Sequence, residues 1–467
     1  MKAKTDIVQF FQEKLAHIQI DFDKHRLKEY GNDSSSYFEA NSSLIVYPKT
    51  TQEVVEIVQL ANQEKIFIVP SGGRTGLSGG ATALNNEVIL SLEKLNREIQ
   101  FNEEEQTLEV EAGMITQVLQ EKAKERDLYF PIDFAAVGSS QIGGNIATNA
   151  GGIHVIHYGM IRDWITGLKV VTGKGEVLNL NKGLIKNNTG YDLKNLFIGS
   201  EGTLGVITEA TIQLTQKPQQ PCTFLFSFDK LQTVLELFKW FKSEVDLLAF
   251  EFFTDEALQY ALNEGGVEFA MENRAPFYVI IEFEKLRNTS IHLKEEMEHY
   301  IINKVFDLNL IQDGIVALSD EDRIRIWKHR ENIPAAINRF NPYKNDISVR
   351  IHKVPQFIKE LDALLKKEYP NLEVLWFGHI GDGNLHINLP KPETLLIEDF
   401  RKQCDQASMK IYQLIEKFNG SISAEHGVGL IKKKYLHFTR SQEEIEYMKQ
   451  IKTLFDPNHI LNPGKIF

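Results

Sequence analysis

Residues Gly378-His379-Ile380-Gly381-Asp382-Gly383-Asn384-Leu385-His386 set two imidazoles symmetrically about an Asp-Gly pair flanked by apolar residues. Asp-Gly between such runs is a strong signal for a two-residue hairpin turn. With Asp382 and Gly383 as the central turn residues, Gly381 pairs with Asn384, Ile380 with Leu385 and His379 with His386, so the histidines are direct cross-strand partners. Their Cβ atoms then lie ~5 Å apart on one face, near enough to share a metal ion. The plainer alternative is a hairpin with two polar side chains, because two ligands do not complete a site. Ser423-Ala424-Glu425-His426-Gly427-Val428-Gly429 offers a third ligand: a carboxylate beside an imidazole, next to glycines that permit close backbone approach. His379, His386 and Glu425 with one position left open form a catalytic rather than a closed structural ligand set. Asn388, two residues beyond His386, shares its strand face.

Three glycine-rich tracts precede these motifs. The first, Ser71-Gly72-Gly73-Arg74-Thr75-Gly76-Leu77-Ser78-Gly79-Gly80-Ala81, carries five glycines directly after an apolar run. Such a loop can turn its N–H groups inward and cradle phosphates; the alternative is a flexible surface loop. It is neither a P-loop nor a Gly-x-Gly-x-x-Gly fingerprint. The second tract runs from Val137 to Gly152 and the third from Gly199 to Thr208. Three tracts in one domain suit a long ligand lying against backbone, a dinucleotide rather than a mononucleotide.

The elements that must position these residues follow from pattern. Met1 to Leu15 reads as a short amphipathic helix without the apolar core of a signal peptide. Leu44 to Pro48 reads as a strand, Thr51 onward as a helix with Val54, Val55, Ile57, Val58 and Ala61 inward, and Ile66 to Pro70 as a strand entering the first glycine loop. Past Lys217-Pro218 glycine thins and aromatic strands take over, at Phe224 to Phe228, Phe277 to Ile281 and Leu375 to Phe377. The expected organisation is a helical segment over 1–40, a ligand-binding domain over 41–216, a second domain over 217–450 and a docked C-terminal segment over 451–467.

With 467 residues, 42% hydrophobic and 25% charged, the chain is an ordinary globular protein. Its formal charge of −12 argues against nucleic acid as a partner, and an anionic substrate would need local cations. Cys222 and Cys404 fit packed thiols in a reducing compartment. No apolar run approaches the ~20 residues of a transmembrane helix, so a cytoplasmic protein is expected.

The three tracts in this order, then the histidine hairpin, Glu425-His426 and the tail Asn462-Pro463-Gly464, resemble the FAD-dependent D-2-hydroxyacid dehydrogenases of the vanillyl-alcohol oxidase superfamily. The likeness runs from about residue 40 to the end. It implies an α+β protein with an FAD-binding domain of the p-cresol methylhydroxylase type, a cap domain built on an antiparallel sheet, and a C-terminal segment returning to the flavin. By this resemblance Pro70, Ser71, Gly72, Gly73, Arg74, Thr75, Gly76, Leu77, Gly79 and Gly80 belong to the pyrophosphate loop. Pro131, Gly138, Gly143, Gly144, Asn145, Thr148, Asn149 and Gly152 line the isoalloxazine and ribityl chain. Glu201, Gly202 and Ile207 match the tract around the adenine half, and Asn462 matches an asparagine near the flavin ring. His379, His386 and Glu425 fall on divalent-metal ligands, His426 on the catalytic base, and Asn388 on a substrate contact.

Two further matches concern the substrate. Arg330, in Trp327-Lys328-His329-Arg330, falls on an arginine that grips a carboxylate, and Lys344, in Tyr343-Lys344-Asn345-Asp346, matches the lysine that holds the distal carboxylate in D-2-hydroxyglutarate dehydrogenases. Pro334 stands where those enzymes carry a threonine, which argues against a dicarboxylate. Arg74 replaces a smaller residue, and His154 and His157 have no assigned role. The loop lacks an attachment histidine or cysteine, so FAD is expected to be non-covalent, with a divalent metal, zinc first and manganese or iron as alternatives.

The activity implied is oxidation of a D-2-hydroxy acid, D-2-hydroxyglutarate first, to the 2-oxo acid by hydride transfer to flavin N5. A D-lactate or glycolate dehydrogenase is the nearest alternative; a non-redox flavin-dependent alkyl transferase and a non-catalytic FAD-binding subunit are the others. Electrons would leave to an electron-transfer flavoprotein, a quinone or another carrier, and a homodimer is compatible with the chain.

Overall fold

Two compact units make up the computed structural model, which describes residues 4–35 and 37–467. The first comprises 1–152, 159–217 and 425–467, and the second comprises 153–158 and 218–424. The chain leaves the first unit after Lys217 and returns at Glu425, not at 451 as expected. The cause is that 426–431 is hydrogen-bonded to the glycine loop and to Glu201 of the first unit. A further departure is the short excursion Ile153–Tyr158, seated in the second unit by His157 Nδ1 against Leu247 O at 3.0 Å.

The first unit is built on two sheets. One has Gln19–Asp21, Ser42–Tyr47, Glu87–Ser91 and Ile68–Ser71 side by side, the last three parallel. The helix Thr51–Glu64 crosses between two of these strands, as parallel pairing requires. Thr50 caps it by accepting the Glu53 N–H at 3.1 Å, and Glu53 reaches back to the Lys49 N–H at 2.7 Å. Val54, Val55, Ile57, Val58 and Ala61 are all buried, each larger one contributing about 1.5–3 kcal/mol. The other sheet is antiparallel, in the order Glu98–Asn102, Thr107–Glu111, Gly205–Gln213, Ile165–Thr172 and Val177–Leu180. The N-terminal helix is Lys4–Lys14; Met1 to Ala3 of the expected helix lie outside the described residues.

The second unit holds a seven-stranded antiparallel sheet, in the order Asp313–Val316, Cys222–Phe228, Phe277–Leu286, Val245–Thr254, Leu375–Gly378, Asn384–Leu389 and Tyr343–Ser348. The fold is therefore α+β. Trp327, Ile333 and Ile337 of the helix Asp320–Asn338 pack on a face carrying Leu225, Phe253, Tyr278 and Phe377. That face also carries two buried carboxylates, Glu282 and Glu251. Glu282 accepts from Arg323 at 2.7 and 2.9 Å, from Trp327 Nε1 at 3.0 Å and from Thr223 at 2.9 Å, and His154 stands 3.8 Å away. Both cysteines are buried and free, and burial pushes the Cys222 thiol up to about 12. Among the described residues no helix is long and apolar enough to cross a membrane.

Candidate active site

In the first unit the strand Ile68–Ser71 ends in the glycine loop, which forms one wall of a cleft. Pro70, Ser71, Gly72, Gly73, Arg74, Thr75, Gly76 and Gly80 line it, with Gly143, Gly144, Asn145 and Thr148 of the helix Ile142–Thr148 opposite. Glu201, Gly202 and Ile207 supply the third wall. The three tracts thus converge on one cleft. Gly73 must be glycine, because a Cβ there would lie 2.1 Å from Ser139 O. Arg74, at φ 59°, donates to Gly72 O at 3.1 Å and stacks its guanidinium 3.9 Å above the Tyr30 ring. Leu77, Gly79, Pro131, Gly138, Asn149 and Gly152 do not line the cleft. Asn462 stands behind it, its amide donating to Gly80 O at 2.8 Å and Glu201 O at 2.6 Å.

A flavin dinucleotide fits this cleft on three counts. Six glycines of the glycine loop and the facing helix, Gly72, Gly73, Gly76, Gly80, Gly143 and Gly144, edge it with backbone. Ser71 Oγ and Gln141 Oε1 are buried polar atoms without a hydrogen-bond partner among the described residues, and such atoms are rare unless a ligand or water satisfies them. The glycine loop also presents no acidic side chain of its own to oppose a pyrophosphate. Ser78, Gln141 and Leu92 line the cleft as well; their side chains carry no glycine-like signal in sequence. His426 is on the cleft wall, with its Nε2 3.9 Å from a Glu425 carboxylate oxygen.

In the second unit the histidine hairpin is real but differs in register. Phe377, not His379, faces His386 across the ladder, and residues 379–383 form a longer turn. His379 O accepts the N–H groups of Asp382, Gly383 and Asn384 at 3.1–3.2 Å, while Asp382 Oδ1 caps the Asn384 N–H at 3.0 Å. Asn384 is in turn held by Asp346 Oδ1 at 2.8 Å and Ile347 O at 2.9 Å. Pairing with Tyr343–Ser348 therefore fixes where the strand begins, which a two-residue turn could not satisfy. The imidazoles still meet, with ring centroids 5.4 Å apart.

Each histidine has a buried carboxylate beside it. His379 Nδ1 is 2.6 Å from Glu251 Oε1, and His386 Nδ1 is 3.7 Å from Asp346 Oδ1. The 2.6 Å bond to Glu251 keeps the proton on His379 Nδ1 and leaves Nε2 as the lone-pair nitrogen, the usual setting of a metal-binding histidine, whereas the Asp346–His386 separation is that of an ion pair rather than a hydrogen bond. Imidazoles and carboxylates are the donor types that a divalent cation such as zinc takes. Glu251 also forms an ion pair with Arg330, with Nη2 3.1 Å from Oε2 but outside hydrogen-bond geometry. Arg330 is buried with its guanidinium 4.7 Å above Phe377, and its Nε has no partner among the described residues. Lys344 lies directly opposite Asn388, and Asp346 opposite His386, so all four side chains share one sheet face. Burial lowers the Lys344 ammonium below its ordinary range. Ala424, whose N–H donates to Asp346 Oδ2 at 3.0 Å, ends this unit in the chain, and Glu425 follows it.

Glu251 and Asp346 were not among the residues singled out from sequence. The signal was there for Glu251, a lone carboxylate inside Leu247-Leu248-Ala249-Phe250-Glu251-Phe252-Phe253: a charge in a buried strand needs a partner.

Comparison with known proteins identifies the family. Residues 42–181 match the family "FAD binding domain", and residues 217–466 match "FAD linked oxidases, C-terminal domain". The D-2-hydroxyglutarate dehydrogenase of Stutzerimonas stutzeri is 46% identical over 445 residues, covering 95% of each chain. The D-2-hydroxyglutarate dehydrogenase of Xanthomonas citri is 45% identical, covering 98% of this chain and 96% of its own. Among solved structures, p-cresol methylhydroxylase with substrate bound superposes with a TM-score of 0.76 at 15% identity, covering 100% of this chain and 97% of that one.

Proposed function

Because this chain belongs to the FAD-linked oxidase family and is an FAD-linked oxidoreductase, we propose that it oxidises D-2-hydroxyglutarate to 2-oxoglutarate with the help of a divalent metal. The observation that carries the reading is Glu251, which joins a metal-binding type of histidine, His379, to the buried cation Arg330. The names of the two relatives, at 45–46% identity over nearly the whole chain, support the substrate. When bound, FAD supplies the acceptor for the Cα hydride, and a cation held by His379, His386 and Glu425 supplies Lewis-acid polarisation of the substrate hydroxyl.

The side chains divide the remaining work. His426 takes the hydroxyl proton on its imidazole, the side chain most often used as a general base. Arg330 grips one carboxylate through donors set in a rigid fork, and Lys344 adds a point charge for the other. Asn388, across the ladder from Lys344, donates to substrate oxygen from the same face. Two imidazoles and a carboxylate suit zinc among the divalent ions. The expected result with purified protein and an artificial electron acceptor is 2-oxoglutarate formation from the D isomer, lost on chelation and regained on adding zinc; turnover that survives complete metal removal would refute the metal-dependent reading.

A further inference from the structure

The loop that carries His426 is tied down by two side chains that belong to the walls of the flavin cleft. Ser78, in the glycine loop, has its Oγ 2.7 Å from His426 O and 3.0 Å from Gly427 O, and its own carbonyl accepts the N–H groups of Leu430 and Ile431 at 2.9 and 3.1 Å. Glu201 accepts from Val428 N–H at 2.7 Å through one carboxylate oxygen and from Gly429 N–H at 2.8 Å through the other. The fit is close: Gly427 sits at φ 77°, and a Cβ there would lie 2.9 Å from Glu201 Oε1. Glu201 is itself fixed, its N–H donating to Ala147 O at 2.8 Å and its carbonyl accepting from Asn462. Both carboxylate oxygens of this buried side chain accept backbone N–H groups of the loop. Its role is to set the path of residues 428–429.

We propose that Ser78 and Glu201 are positioning residues for His426, fixing the backbone of the base to the loop that cradles the cofactor so that the two are placed as one rigid body. The inference rests on the reading of His426 as the base. It makes the glycine loop bifunctional. Its residues edge the cleft, and its Ser78 hydroxyl holds the backbone of the base.

Ser78→Ala, Ser78→Thr, Glu201→Gln and His426→Ala holoenzymes test this by anaerobic mixing with D-2-hydroxyglutarate, alongside the FAD dissociation constant and the rate ratio in H2O and D2O. Ser78→Ala is expected to slow flavin reduction by about 10- to 100-fold, the cost of misplacing a reacting group by roughly 1 Å. FAD affinity should hold within about twofold, since the variant removes no N–H from the cradle. The solvent isotope effect should rise, because proton removal becomes the slower event, and Ser78→Thr should restore the rate by keeping the hydroxyl. Glu201→Gln, which offers one amide acceptor and one mismatched donor, should act in the same direction. An inactive His426→Ala beside Ser78→Ala and Glu201→Gln at the wild-type rate would overturn the inference and leave the base standing. A rate loss accounted for wholly by weaker FAD binding would also overturn it. Full-rate reduction by His426→Ala would overturn the base assignment, and the inference with it.

Discussion

Replacing Glu251 by glutamine removes one charge and no volume, and the geometry separates its consequences. Oε1 holds His379 Nδ1 at 2.6 Å, and glutamine can still accept there, but the bond is no longer charge-assisted. Loss of a carboxylate behind a ligating histidine costs about 10- to 100-fold in metal affinity, or roughly 1.4–2.7 kcal/mol. Oε2 faces Arg330 Nη2 at 3.1 Å, and both residues are buried, Glu251 to 1% exposure. Breaking such a pair from one side strands a buried charge and costs about 3–5 kcal/mol. The Phe377 face under the guanidinium remains, which places the loss toward the lower end. Glu251→Gln should therefore lower both the melting temperature and the zinc affinity measured by competition with a chelator. Adding Arg330→Met removes the stranded charge, so the double variant should recover melting temperature without recovering zinc affinity. Zinc bound by Glu251→Gln at wild-type strength, or a double variant that regains it, would refute the argument.

Other substitutions probe separate parts of the cap unit. Burial pushes the Glu282 carboxyl up, but His154 and Arg323 more than offset this and hold it well below its ordinary range. Its stabilisation is then whole above the unfolded value near 4.5 and is lost as pH falls below it. Glu282→Gln should cost about 3–5 kcal/mol at neutral pH, with the gap in melting temperature to wild type closing below about pH 4; a gap independent of pH would show that the pair is not ionic. Lys344→Met should depress kcat/KM for D-2-hydroxyglutarate by about two to three decades while leaving D-lactate nearly unaffected, and equal losses on both would mean that the lysine is structural.

What the sequence made legible was local. Helix Thr51–Glu64 and the strands at 42–47, 222–228 and 375–378 carry their periods and caps within the segment, and the three glycine tracts declare themselves because their backbone needs special freedom. The hairpin register was misread because it is set by a strand far away in the chain: Asn384 is committed to Asp346 and Ile347, and no turn rule contains that bond. The return to the first unit at Glu425 was hidden for the same reason, since Ser78 and Glu201 meet Gly427 to Gly429 only in three dimensions. Pro334, which argued against a dicarboxylate, lies one turn beyond Arg330 inside the helix Asp320–Asn338. It offers no side-chain donor, so the proposed function leaves the distal carboxylate to Lys344.

The central claim is most directly tested by mixing the anaerobic zinc-loaded flavoprotein separately with D-2-hydroxyglutarate, L-2-hydroxyglutarate and D-lactate in a stopped-flow spectrometer and following the oxidised flavin band. The account predicts rapid, complete bleaching by D-2-hydroxyglutarate, none by the L isomer, and reduction by D-lactate slower by about two decades or more, the value of one buried charge contact. A flavin that D-lactate reduces as fast as D-2-hydroxyglutarate, or that none of the three acids reduces, would contradict it.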